Sequence, residues 1–321
     1  MTGIAASGDY GQLARLLGHS SDIRRQLTQA NQQTATGRIA ETYGGLGTGA
    51  GVSFDLRPQI AHQATWQANI DSASVRLEVT QLALKEISQI TSGMYAKVNA
   101  LNGLSPSEAD SVATLARSGL ERVAQLLNSK VGDVYVFAGQ DTGTAPIPDT
   151  SPAVLTTALL ASDTAAPPFS STIGTAPPTL EVGEGERVGV GLIANRNTLA
   201  TSAAPSTGSY MRDIMRGLAT LTTLTNGPAL MATAADTRTR LSGAMSALAL
   251  ETGTLGDVQA GLMTRKAQST ATVLALTSQV SKAEDVDMAA ALTRVTSLQA
   301  QLQASYQIIA GMRDLTLSRY L

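Results

Sequence analysis

The chain has 321 residues, a formal net charge of −2, two histidines and no cysteine. That is length enough for about two domains with a sizeable core. Its balanced charge excludes the electrostatic footprint of a nucleic-acid binder, and the lack of cysteine excludes disulfides and thiolate metal sites. Hydrophobic residues make up 43% but aromatic ones only 3%, a composition of slim Ala- and Leu-rich helices rather than aromatic-anchored cores.

Residues 1–9 carry little pattern, and Met1-Thr2-Gly3-Ile4 lacks the basic and apolar regions of a Sec signal, so any export is expected to use another route. No apolar run reaches the ~18 residues of a membrane-spanning helix, and no membrane partner is expected. From Leu13 a heptad seam appears: Leu13, Leu16, Ser20, Ile23, Leu27, Ala30 and Thr34. It predicts a helix, stopped by Gly37, that packs against another long helix. Gly44 to Gly51 then holds five glycines in eight residues. A phosphate-binding P-loop would need Lys after its last glycine, where Val52 stands, so this stretch reads as a flexible connector. Gly183 to Gly189 fails as a dinucleotide loop for a similar reason, with Val188 at a required glycine.

Pro58 is placed in the first turn of the next helix, where a missing N–H is tolerated. A second and longer seam follows through Ile70, Ala73, Leu77, Thr80, Leu84, Ile87, Thr91, Met94, Val98 and Leu101. Asn102-Gly103 ends it, and Ser105-Pro106-Ser107-Glu108 is a capping box with Pro at the first helical position. The helix it opens runs through Val112, Leu115, Gly119, Val123 and Leu126 to about Lys130. So short a connection predicts antiparallel neighbours.

Then the period changes. Val131 to Gly139 is β-branched and aromatic between glycines, and reads as a strand. From Gln140 to about Ser206 the composition turns to Thr, Ser, Pro, Ala and Gly, with room for a hairpin in Leu180 to Gly191. This predicts a small β-rich insertion with exposed loops. Helical pattern resumes near Ser209 with Tyr210, Ile214, Leu218 and Leu221, and continues after Pro228 with an interruption near Gly253 and Gly256.

The last forty residues hold the seam around which the chain is organised. Ser281-Lys282-Ala283-Glu284 has capping-box spacing, and Asp285 and Asp287 add first-turn negative charge. Met288, Val295, Leu302 and Ile309 form one heptad row; Ala291, Leu298, Ser305 and Met312 form the other. Seams at both extremes of the chain favour pairing of those ends; the alternative is two ordinary amphipathic helices on a globular core. The fold class expected is mainly α: long antiparallel helical rods from paired N- and C-terminal segments, with a small β-rich insertion. Three parts are expected: a terminal coiled coil of 1–40 and 281–321, a helical rod of 41–139 and 207–280, and the exposed insertion 140–206. The residues expected at an assembly interface are Leu13, Leu16, Ile23, Leu27, Met288, Val295, Leu298, Leu302, Ile309 and Met312.

Nothing points to catalysis. His19 and His62 have no Asp or Glu four residues away, Glu284, Asp285 and Asp287 are accounted for by a helix start, and no Gly-x-Ser-x-Gly elbow occurs. No catalytic residue, cofactor or metal is expected, and no nucleic acid as partner.

Several short motifs, in order, resemble one family. Asp133-Val134-Tyr135-Val136-Phe137-Ala138-Gly139 is similar to the strand that follows the N-terminal helices of flagellin-type axial proteins. Ala283-Glu284-Asp285-Val286-Asp287-Met288-Ala289 resembles the start of their C-terminal helix, and Gln303-Ala304-Ser305-Tyr306 and the ending Leu317-Ser318-Arg319-Tyr320-Leu321 also match. Ala35-Thr36-Gly37-Arg38-Ile39 follows the family pattern without its acidic-Pro continuation, which the glycine-rich stretch replaces. The resemblance covers roughly residues 10–140 and 210–321 and implies a bacterial flagellar structural subunit. The ending suits hook-associated members, which join hook to filament, better than filament flagellins; the filament subunit is the alternative, and a surface adhesin or phage tail component a more remote one. It further implies a helical or tubular homo-oligomer, neighbouring hook-associated and flagellin subunits, and a flagellar export apparatus with a possible chaperone. The location implied is extracellular, reached without a cleaved signal.

Overall fold

A computed structural model describes residues 4–101, 106–161, 168–197 and 206–317. In chain order the elements are α1 (Ile4–Thr36), a short 3-10 turn (Tyr43–Gly45), α2 (Gly49–Asn99), α3 (Pro106–Leu127), β1 (Lys130–Val131), β2 (Val134–Tyr135) and α4 (Pro152–Ala161). There follow β3 (Thr179–Gly183), β4 (Glu186–Gly189), α5 (Tyr210–Thr222), α6 (Leu230–Glu284) and α7 (Met288–Leu317). The described residues are mainly α with two small antiparallel sheets, as the chain's periodicity implied. It divides into two units, Met1–His62 with Thr272–Leu321, and Gln63–Ala271, so α2 and α6 contribute to both. Among the described residues no helix is long and apolar enough to cross a membrane.

The unit of residues 63–271 holds the large core. Every position of the long seam, from Ile70 through Thr80 and Thr91 to Leu101, is buried. The two threonines satisfy their hydroxyls within the helix, Thr80 on the Arg76 carbonyl and Thr91 on the Ile87 carbonyl. That local bond lets a polar side chain occupy a core position without an orphaned donor. α3 runs antiparallel to α2: Arg122 Nε donates to Glu86 at 2.6 Å, and Gly119 lies against Ile90. Along α3 the buried face includes Val112, Ala116, Leu120, Val123 and Leu127, while Leu115 is exposed. The residues expected to break the chain before α3, Asn102 to Ser105, lie outside the described set. Ser209 caps α5, accepting from the Arg212 amide, and Tyr210, Ile214, Leu218 and Leu221 face the core as the spacing required. Gly217 lies so close to Leu241 that a Cβ would come within 2.8 Å of it, bringing α5 against α6.

Four expectations need correction. Val131 to Gly139 is a tight hairpin rather than one strand, with Lys130 opposite Tyr135 and Val131 opposite Val134. Gly132 turns it at φ +60°, the left-handed value a two-residue hairpin loop demands and glycine supplies without strain. The 140–206 region does contain the hairpin foreseen near Leu180, as β3 and β4. It also contains a helix, α4, and it contributes Ile147, Leu155, Leu159, Phe169, Val182, Leu192 and Ile193 to the core. Asn128 anchors it by exchanging hydrogen bonds with both backbone groups of Ile147, at 2.7 and 2.9 Å. α2 starts at Gly49, so Pro58 sits inside the helix rather than in its first turn. There its missing N–H forfeits one bond to the Phe54 carbonyl on an exposed face. Finally, α6 passes through Gly253 and Gly256 without a break. Each glycine costs about 1 kcal/mol of helix propensity, which burial of Leu248, Leu255 and Leu262 on the same helix outweighs.

Candidate assembly interface

In the unit of residues 1–62 and 272–321, α1 and α7 pack against each other. They are antiparallel, because the C-terminal end of α1 meets the N-terminal end of α7. The Val286 amide donates to the Gly37 carbonyl at 3.0 Å, and the Ile39 amide donates to the Glu284 carbonyl at 2.7 Å. Gly37 ends α1 at φ +71°, a conformation in which a Cβ would be strained.

The heptad row Ala291, Leu298 and Ser305 is buried down the middle of α7. Val295 of the other row is buried, Leu302 and Ile309 are half-buried, and Met288 is exposed at 43%. On α1, Ser20 and Ala30 are buried while Leu16, Ile23 and Leu27 are half-buried. Ile23 and Leu27 pack on a cluster of Ala30, Val295 and Leu298. The side chains of Leu13 and Met312 lie outside the described set. The small residues at the centre of the seam let the helices approach, but the Ser20 and Ser305 hydroxyls are buried without a hydrogen-bond partner among the described residues. Each such orphan costs about 1–3 kcal/mol. The seam is therefore narrow and carries few strong apolar contacts.

Beside the seam, α7 carries a second stripe. Met288, Leu292 and Tyr306 fall on one face at helical spacing, with the uncharged Gln299 between them; Leu292 is 53% and Tyr306 45% exposed. From Met288 to Gly311 the only charge is Arg294. On the other flank, Gln26 of α1 and Ala290, Thr293, Ser297 and Gln301 of α7 line an open groove of about 670 Å³. A helix bathed only in water carries charge on its outer faces; this one presents Ala, Ser, Thr, Gln and exposed apolar side chains instead. Phe54 is 69% exposed and packs edge-on to Tyr43, at 6.4 Å between ring centroids.

The end of α6 corrects a fifth expectation. Ser281 to Glu284 does not open the C-terminal helix; it closes α6, and α7 begins at Met288. The cap of α7 is Asp287, whose Oδ1 accepts from the Ala289 and Ala290 amides at 2.9 and 3.1 Å. Ser281 spends its hydroxyl on the Asp285 carboxylate. Glu284 instead forms a bidentate pair with Arg57 of α2, Nε to Oε1 at 2.8 Å and Nη2 to Oε2 at 2.5 Å. The Arg57 guanidinium, then the Ser53 hydroxyl and the Arg38 charge, hold the Glu284 carboxyl below its ordinary value, against the opposing effect of burial. Gly49 completes the contact: a Cβ there would lie 2.9 Å from the Ala283 carbonyl oxygen. No motif in the sequence marks Arg57 or Gly49 as partners of Glu284 and Ala283, since both contacts join residues more than two hundred positions apart. His19 and His62 are exposed, and among the described residues no group of three His, Cys, Asp or Glu is gathered as a metal site.

Residues 239–321 match the family model of the bacterial flagellin C-terminal helical region. No curated protein matches the chain. Among solved structures, one described as a flagellar hook-associated protein from Vibrio parahaemolyticus is 13% identical, with TM-score 0.58, covering 73% of this chain and 96% of its own. FlgL of Xanthomonas campestris is also 13% identical, covering 76% of this chain and 99% of its own, at TM-score 0.41. At such identities the first likeness is one of fold.

Proposed function

We propose that this chain, whose residues 239–321 match the family model of the bacterial flagellin C-terminal helical region, is a structural subunit of the flagellum that polymerises through α1 and α7. Within that role the reading favoured is the junction between hook and filament. The chain's ending Leu317-Ser318-Arg319-Tyr320-Leu321 supports it, as does the fold likeness to a hook-associated protein.

The observation that carries the proposal is the outer surface of α7. Its intrachain seam uses one stripe, while Met288, Leu292 and Tyr306 remain outside it on a helix with a single charge between Met288 and Gly311. Covering such a surface with neighbouring copies removes apolar area from water, at ~25 cal/mol per Å², and desolvates almost no charge. In a helical or tubular assembly each copy meets several others, so more than one face of the same helix is used. Leu16, Ile23, Leu27, Val295, Leu298, Leu302 and Ile309 then hold the pair in shape, and the adjoining stripe makes the contact between copies. Neighbours at the two ends are hook-associated and flagellin subunits. The protein reaches the cell exterior through the flagellar export apparatus, with or without a chaperone, and its role is structural rather than enzymatic.

The test is complementation of a strain lacking this protein with wild type, Leu292→Asp or Tyr306→Asp. Wild type should restore filaments; the variants should be exported at normal levels and leave hooks bare. Normal filaments from both variants would overturn the assembly surface. Long filaments grown from the purified protein alone would overturn the junction role in favour of a filament subunit.

A further inference from the structure

The local sequence supplies a start for α7, the Asp287 cap, but no stop for α6. From Leu262 to Ala310 there is neither glycine nor proline, and the residues that usually end a helix are absent. Asp285 still makes the α-helical bond, its amide donating to the Ser281 carbonyl at 2.8 Å, and Ala291 resumes it on Asp287 at 2.8 Å. What separates the helices is partner choice by a few groups. The Val286 amide takes the Gly37 carbonyl rather than that of Lys282, and the Glu284 carbonyl is taken by the Ile39 amide rather than by that of Met288. The Asp287 carboxylate stands in for the carbonyls that would otherwise bond Ala289 and Ala290. Arg57 grips the side chain of the same Glu284 whose carbonyl bonds Ile39.

We propose that residues 285–287 are a helix switch. With Glu284 paired to Arg57 the break is held; when the pair is released, α6 and α7 close into one continuous helix and residues 37–39 are freed. The two arrangements exclude each other at two groups, the Val286 N–H and the Glu284 C=O, which is what makes the element two-state rather than gradually deformable. The charged and titratable groups about Glu284 are Arg57 of α2, with Tyr43 acting on Arg57, Arg38 of the connector, and Lys282, Asp285 and Asp287 of its own segment. Two cations face it from other elements, so loss of its charge removes the attraction that holds the break. The trigger is therefore acid, or a partner that competes for Arg57. The switch stands whether or not the chain is flagellar.

Amide hydrogen exchange on the full-length chain at neutral pH, resolved at Ile39 and at Val286 to Ala290, tests it. In Arg57→Ala, which leaves the switching segment untouched, Ile39 should exchange at least about tenfold faster while Val286 to Ala290 stay as protected as in wild type, because they exchange tertiary and cap partners for helical ones. Glu284→Gln should reproduce the pattern. Adding Met288→Pro to Arg57→Ala should bring Ile39 back near its wild-type rate. Proline at the first position of α7 suits a broken helix and forbids a continuous one. Faster exchange at Val286 to Ala290 together with Ile39 would mean the segment melts, and would overturn the switch. So would an unchanged Ile39 in either variant, or failure of the proline to restore it.

Discussion

Replacing leucine by aspartate at Leu298 and at Leu292 separates the two stripes of α7. The chemistry is the same, the positions are six residues apart, and their surroundings differ: Leu298 is 5% exposed and Leu292 53% exposed. Removing Leu298 forfeits about 1.5–3 kcal/mol of burial. A carboxylate set against Val295 and Ala30 adds about 1–3 kcal/mol of unpaired polar burial, the low end if it swings toward the Gln26 groove. The sum, about 2.5–6 kcal/mol, is large for a seam whose buried apolar cluster is Ala30, Val295 and Leu298. At Leu292 the side chain is already half in water, and the loss within the monomer should stay under about 1 kcal/mol. Trypsin reads the difference, since Arg24 and Arg25 lie on the exposed face of α1. Cleavage in a pre-equilibrium regime follows the population of the opened pair. At 1.4 kcal/mol per decade, Leu298→Asp should speed cleavage there by about sixtyfold or more, and Leu292→Asp by less than about fivefold. Both should fail to enter the assembly. Equal cleavage rates in the two variants would refute the assignment of one stripe to the monomer and the other to its neighbours.

Gly49→Ala should destabilise the unit of residues 1–62 and 272–321 by about 1–3 kcal/mol, because its Cβ would meet the Ala283 carbonyl oxygen at 2.9 Å; chemical denaturation measures it. The Arg57–Glu284 pair sets a pH dependence. A carboxyl whose folded value is lowered contributes stability that is full above its unfolded value, near 4.5, and is lost as pH falls through the lower folded one. Arg57→Ala should therefore narrow the stability gap between pH 7 and pH 3, and an unchanged gap would refute the coupling. Tyr210→Phe should be neutral or stabilising by up to about 1 kcal/mol in thermal unfolding, since the Tyr210 hydroxyl is buried with no hydrogen-bond partner among the described residues. Removing residues 150–200 should expose apolar core rather than trim a loop: Leu155, Leu159 and Leu192 are fully buried, and dye binding together with loss of cooperative unfolding would report it.

Sequence alone determined the parts of this protein whose information is periodic or local. Seven-residue spacing located the buried seam from Ile70 to Leu101, though not the buried Ala83 beside it, and the buried Ala291, Val295 and Leu298 of α7, though not the exposure of Met288, because a helix repeats its exposure whatever it packs against. Gly37 and Ser209 announced an end and a start, since a left-handed glycine and a capping hydroxyl act on their own backbone neighbours. Tertiary structure decided the rest. Pro58 and Gly253 read as boundaries, yet both lie inside helices, because local penalties of about 1–3 kcal/mol yield to burial along a whole helix face. Ser281 to Glu284 read as a helix start and proved a helix end. The same carboxylate that could reach back to its own backbone finds a better partner in Arg57, a bidentate guanidinium from a distant segment. The Thr- and Pro-rich stretch read as exposed, but its scattered Ile147, Leu155 and Leu192 fill the core, a placement without period and so invisible until the chain is folded. A bond between residues 57 and 284 leaves no pattern in either neighbourhood, and only folding brings the two together.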